Sequence, residues 1–131
     1  MTSRDRPLSP HLQVYRWQIQ MATSILHRAT GIILALGALL IAAAMVALMR
    51  GREAWECVSG FTHSWLGIVI LVGWTWSFAY HLCNGIRHIF QDFTYGFSIP
   101  TLVRNSWLSI IGSFVLTALV WGYVLVSRGT V

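Results

Sequence analysis

His81 and His88 stand seven residues apart in a stretch reading His-Leu-Cys-Asn-Gly-Ile-Arg-His-Ile-Phe-Gln-Asp, which ends at Asp92. On a helix seven residues are close to two full turns, so the two imidazoles share one face. Asn84 and Gly85 lie between them on that face. A ring nitrogen that can ligate a metal, a small residue that lets a flat group approach, and a second histidine near the water boundary make a wall for a haem. The stretch sits where a long apolar segment runs out into charge. Ionisable residues inside a bilayer are costly, and so count as functional candidates. The competing reading of His81 is a hydrogen-bonder between helices. His88 stands open between a propionate-binding cation, an exposed residue and a second ligand. Two histidines on one helix cannot hold one iron from opposite faces, so bis-histidine ligation needs another helix or another chain.

A second polar cluster, Ser24, His27 and Arg28, opens the first apolar run. Positions i, i+3 and i+4 share a helix face. Arg28 is permanently charged and either snorkels to phosphate headgroups or, with Ser24, donates hydrogen bonds to a carbonyl or carboxylate. His27 can pair with a propionate or take part in proton movement. His63 and His11 read as interfacial and non-ligating.

The elements that must carry these residues are apolar. The chain has 131 residues, 56% hydrophobic and only 10% charged, where a soluble domain carries roughly 25% charged residues. Three runs stand out, Ile25 to about Met49, about His63 to Ile86, and about Trp107 to Val126. Each is long enough to cross about 30 Å of hydrocarbon as a helix, and a lipid-exposed backbone has little alternative. The expectation is an all-α membrane protein: one anchor domain over 1–131, an N-terminal segment at 1–23, and spans at about 24–49, 63–87 and 106–127. Three helices with one polar stripe each make a thin bundle, so a partner membrane subunit is expected.

The net charge is +5, with no lysine. The arginines are scattered and no polar domain carries them, so boundary charge fits better than nucleic-acid binding. With three spans the N-terminal segment and the second loop share a side. That side carries Arg4, Arg6, Arg16, Arg28, Arg87 and Arg104, against Arg50, Arg52 and Arg128 on the other. The N-terminal side is therefore expected to be cytoplasmic. Pro7 and Pro10 prevent a regular helix in the N-terminal segment, where Tyr15 and Trp17 suit the headgroup level. The same polar, Arg-rich segment shows no cleavable signal. Cys57 and Cys83, about 26 residues apart along a helical path at 1.5 Å each, read as fillers rather than a disulfide. Glycine-rich phosphate loops, Cys-x-x-Cys pairs and nucleophile triads are lacking. A transporter would need a continuous polar path, whereas these polar residues gather at one end of spans one and two.

Arg6-Pro7-Leu8-Ser9-Pro10-His11-Leu12 with Tyr15, then Ser24-Ile25-Leu26-His27-Arg28-Ala29-Thr30-Gly31, then His81-x-x-Asn84-Gly85-Ile86-Arg87-His88-x-x-x-Asp92 resembles the cytochrome b subunit of succinate dehydrogenase (respiratory complex II), in its mitochondrial and α-proteobacterial branch. The resemblance covers nearly the whole chain. It implies His81 as an axial ligand of haem b, with the other histidine from a second membrane anchor subunit. It implies His27, Arg28 and His88 near the haem propionates, and Ser24 and Arg28 lining a ubiquinone pocket close to the iron–sulfur subunit. It also implies a flavoprotein subunit that oxidises succinate. Asp92 matches a position at the cytoplasmic edge that holds Arg87 or assists proton supply, and Gln91 stands where many members carry an aromatic. A fumarate reductase anchor and a cofactor-free membrane scaffold are the alternatives.

Overall fold

A computed structural model describes residues 16–129, with side chains through Ser127. Four helices follow in order: α1 (Ile19–Arg50), α2 (Arg52–His63), α3 (Trp65–Asp92) and α4 (Ile99–Gly129). The described residues contain no strand. The chain is an all-α protein in which α1, α3 and α4 are each long and apolar enough to cross a membrane. The Arg-Pro-Leu-Ser-Pro-His motif, Tyr15, Arg4 and Arg6 lie outside the described residues.

Helix α3 is central, with α1 and α4 packed against it and touching each other. Small residues set how closely the helices approach. A Cβ on Gly37 of α1 would land on the Trp74 indole of α3, so only glycine lets the two backbones come together there. The inward face of α4 repeats Ser106, Ser109, Ser113 and Thr117, all buried, at the three- and four-residue spacing of one helix face.

Helix α2 is a separate short element that the apolar-run reading does not anticipate. Gly51 is the single residue between α1 and α2, at φ 112, where side-chain-bearing residues are strained. Arg52 pairs with Glu56 one turn on, Nε to Oε1 at 2.7 Å. At the far end Ser64 caps α3 by accepting from Gly67 N at 3.1 Å while donating to Phe61 O at 2.6 Å. A Cβ on Gly67 would run into the Phe61 carbonyl. His63 therefore closes α2 rather than opening the second span, and its Nδ1 sits 2.7 Å from Ser59 O.

The turn between α3 and α4 is Phe93–Ser98, and it holds no arginine. This corrects the placement of Arg87 and Arg104 in the second loop: Arg87 lies inside α3 and Arg104 in the second turn of α4. Both remain at the end of the molecule where α1 begins. Thr94 takes φ 63 in this turn, an uncommon conformation for a β-branched residue.

Candidate functional site

The antiparallel course of α1 and α3 brings the start of α1 against the end of α3. His27 stacks on His81 with ring centroids 3.9 Å apart and planes 11° from parallel, and His27 meets His88 at 5.2 Å with a 52° tilt. Three histidines that are scattered in sequence thus form one cluster. Two glycines face it. A Cβ on Gly31 would stand 3.2 Å from His81 Cε1, so the His81 ring lies directly against the α1 backbone, whereas one on Gly85 would meet His27 Cε1 at an ordinary 3.8 Å.

The hydrogen bonds of His81 fix its tautomer. Its Nδ1 lies 3.2 Å from His27 O and 3.3 Å from Thr30 Oγ1. A carbonyl oxygen only accepts. The Thr30 hydroxyl gives its proton to Leu26 O and His27 O, at 2.8 and 3.0 Å, so it too faces Nδ1 as an acceptor. Nδ1 therefore carries the ring proton, and Nε2 keeps its lone pair, with no hydrogen bond to any described residue. A ligating histidine characteristically donates its other ring N–H to a carbonyl, which orients the ring and raises its basicity. His81 is thus an interhelical hydrogen-bonder through Nδ1, and that bond does not occupy Nε2.

The donor set fits a haem in a second respect. His27 Nδ1 is buried and has no hydrogen-bond partner among the described residues. A buried polar atom without a partner is costly, and a propionate oxygen would supply one.

Ser24 is half-buried and Arg28 exposed, adjacent on α1 to His27. Neither makes a side-chain hydrogen bond or ion pair to a described residue. Their donors are free for a ligand bound at the helix face or at the membrane boundary.

Arg87 is the residue that sequence reasoning misplaces most. It is only 8% exposed. Its Nε donates to Asn84 Oδ1 at 2.9 Å, its Nη1 to Ser106 Oγ at 3.1 Å and its Nη2 to Thr23 Oγ1 at 3.3 Å. One guanidinium thus ties α1, α3 and α4 together. The expected Asp92–Arg87 pair is not formed: Asp92 is exposed, and five residues along a helix turn it to another face. The legible signal was the set of small polar residues, Thr23 and Ser106, inside otherwise apolar helices.

Comparisons with known proteins agree with this geometry. The profile described as succinate dehydrogenase/fumarate reductase transmembrane subunit matches residues 2–120. The succinate dehydrogenase cytochrome b556 subunit of Paracoccus denitrificans is 44% identical over 115 residues, covering 88% of each chain. That of Rickettsia prowazekii (strain Madrid E) is 37% identical over 123 residues, covering 88% of this chain and 90% of its own. The mitochondrial cytochrome b560 subunit of Sus scrofa is 37% identical over 112 residues, covering 82% of this chain and 64% of its own. A match across three spans, with a polar cluster at the shared end of α1 and α3, places the chain in the succinate dehydrogenase/fumarate reductase transmembrane subunit family.

Proposed function

We propose that this chain is the haem b-binding membrane anchor of a succinate dehydrogenase, and that it forms part of the site where ubiquinone is reduced. The observation that carries the reading is the His81 ring: its Nδ1 proton is committed to α1, its Nε2 makes no hydrogen bond to a described residue, and the ring stacks on His27, which in turn meets His88. His81 would ligate the haem iron from this chain, and His27, His88 and Arg28 would hold its propionates. When bound, haem b supplies a one-electron redox centre whose potential follows its axial ligands and dry surroundings. Ser24 and Arg28 donate to a quinone oxygen and stabilise the negative charge that grows there as electrons arrive.

The His27 and His81 rings stack with centroids 3.9 Å apart, too close to hold one iron between them, so a second histidine ligand would come from a second anchor subunit. An iron–sulfur subunit and a flavoprotein subunit complete the complex, delivering electrons from succinate at the end that carries Ser24 and Arg28. The arginine excess puts that end on the cytoplasmic or matrix side of the inner membrane. The curated relatives carry the name succinate dehydrogenase, which favours that direction of electron flow over fumarate reduction.

The test is an optical spectrum of the purified complex with His81→Ala beside the parent. Loss of the reduced b-type band is expected, and an unchanged band overturns the ligand assignment. For the quinone site, Arg28→Ala should lower succinate:quinone activity while succinate oxidation by an artificial acceptor persists. Equal loss of both activities points to failed assembly and removes the support for the quinone assignment.

A further inference from the structure

Arg87 is the buried arginine among the described residues. Its charge is permanent, and a charge in the interior of an apolar bundle is costly unless it is well held. Its acceptors are arranged in advance. Thr23 Oγ1 gives its own proton to Gln20 O at 3.0 Å, and Ser106 Oγ gives its own to Leu102 O at 2.8 Å. Each hydroxyl is thereby left presenting a lone pair to the guanidinium. All three acceptors are neutral. The ion pair found among the described residues, Arg52–Glu56, belongs to α2.

Thr23 is fully buried and held twice. Beside the Arg87 bond, the Tyr80 hydroxyl donates to its carbonyl at 2.9 Å. Ser24 is the next residue, and His27 follows one turn later. Arg87 itself lies next to His88 and six residues from His81, a rise of about 9 Å along α3.

We propose that Arg87 is a positioning residue for the site: by clamping Thr23 to α3 and α4 it sets where Ser24 and His27 stand against His81, and its charge, paired with no carboxylate of the described residues, favours anionic ligand groups and a reduced metal centre on the histidine face. The proposal rests on the haem and quinone assignments above. Hydrogen bonds from a charged donor are among the stronger ones, and in a low-dielectric interior the charge acts over several ångströms.

The experiment uses the intact complex and four variants: Thr23→Val, Arg87→Lys, Arg87→Met and Arg28→Ala. Three quantities are read: KM and kcat for a soluble ubiquinone analogue, succinate oxidation by an artificial acceptor as the assembly control, and the haem midpoint potential by spectrophotometric titration. Thr23→Val removes the Arg87 bond to α1, leaves the Tyr80 bond to the residue-23 carbonyl, and keeps the charge. It should raise the quinone KM about fivefold, the equivalent of one ordinary hydrogen bond, with the potential unchanged. Arg87→Lys should behave in the same way. Arg87→Met should raise KM and also move the potential negative. A parent-like KM in Thr23→Val together with a parent-like potential in Arg87→Met overturns the proposal. A parent-like KM in Arg28→Ala overturns the quinone assignment instead, and the potential of Arg87→Met then decides for or against Arg87. If Arg87→Met does not assemble, the Thr23→Val and Arg87→Lys pair decides: raised KM with the parent potential supports the proposal, and parent values of KM overturn it.

Discussion

Gly31→Ala separates the seating of His81 from the stability of the helix that seats it. The new methyl would stand 3.2 Å from His81 Cε1 and 3.7 Å from Nδ1, so the ring must retreat by a few tenths of an ångström. Its Nδ1 bonds are already long, 3.2 Å to His27 O and 3.3 Å to Thr30 Oγ1. A retreat of about 0.3 Å takes both to the edge of hydrogen-bonding distance. Losing that orientation costs about 1 kcal/mol, or roughly fivefold in haem retention. The backbone effect has the opposite sign, because alanine is favoured over glycine within a helix by about 1 kcal/mol. The two terms nearly cancel in overall stability and do not cancel at the haem. The haem-to-protein ratio and haem release rate of the reduced complex should therefore worsen about fivefold, while the thermal midpoint stays close to the parent's. Gly73→Ala is the control for propensity alone, since a Cβ there meets nothing within 4 Å. Parent-like haem retention in Gly31→Ala would refute the claim that the α1 backbone positions the ligand ring.

Three further outcomes follow from the same geometry. Thr30→Val keeps the shape but removes an acceptor for His81 Nδ1, so haem release should quicken by roughly three- to fivefold, read by absorbance after transfer to a haem scavenger. Thr94→Gly relieves a β-branched residue held at φ 63. It should raise stability by about 1 kcal/mol, seen as a higher thermal midpoint of the complex. Arg52→Ala breaks an i,i+4 pair whose side chains are 91% and 62% exposed. Such pairs contribute little, and both the thermal midpoint and the haem content should match the parent.

The three apolar helices were legible because a run of uncharged residues of spanning length has few other fates in a bilayer. The shared end of α1 and α3 followed from counting spans. The rest depended on pairings that no local pattern states. Helix α2 was hidden because Arg52, Glu53 and Glu56 interrupt the apolar count, whereas the turn at Gly51 and the Arg52–Glu56 bond make those same residues a helix. Arg87 was read as boundary charge because an arginine usually ends an apolar run. Its burial depends on acceptors 64 and 19 residues away in sequence, Thr23 and Ser106. For His81 the sequence left two roles open. The distances show that the hydrogen bond to α1 leaves Nε2 available for the second role.

The distribution of polarity explains how these helices pack while leaving their large side chains outward. The buried side chains are mostly small and polar, among them Thr23, Thr30, Ser77, Asn84, Ser106 and Ser113, while Ile32, Leu36, Leu39, Leu82 and Phe114 point outward. Several of the hydroxyls satisfy themselves on their own helix: Ser77 bonds Gly73 O, Ser113 bonds Ile110 O and Thr117 bonds Ser113 O. They therefore occupy an apolar interior without needing a neighbour's acceptor. Close approach at small residues, rather than apolar burial, draws such helices together, and it leaves the large side chains for lipid and for other subunits. Thr30, Thr23 and Ser106 depart from the self-contained pattern, because besides bonding their own helix they accept from His81 or Arg87. Of these, Thr30 and Thr23 tie α1 to α3. The fold thus places its polar cross-links between α1 and α3 at one end, around the His81 ring and the Arg87 cation.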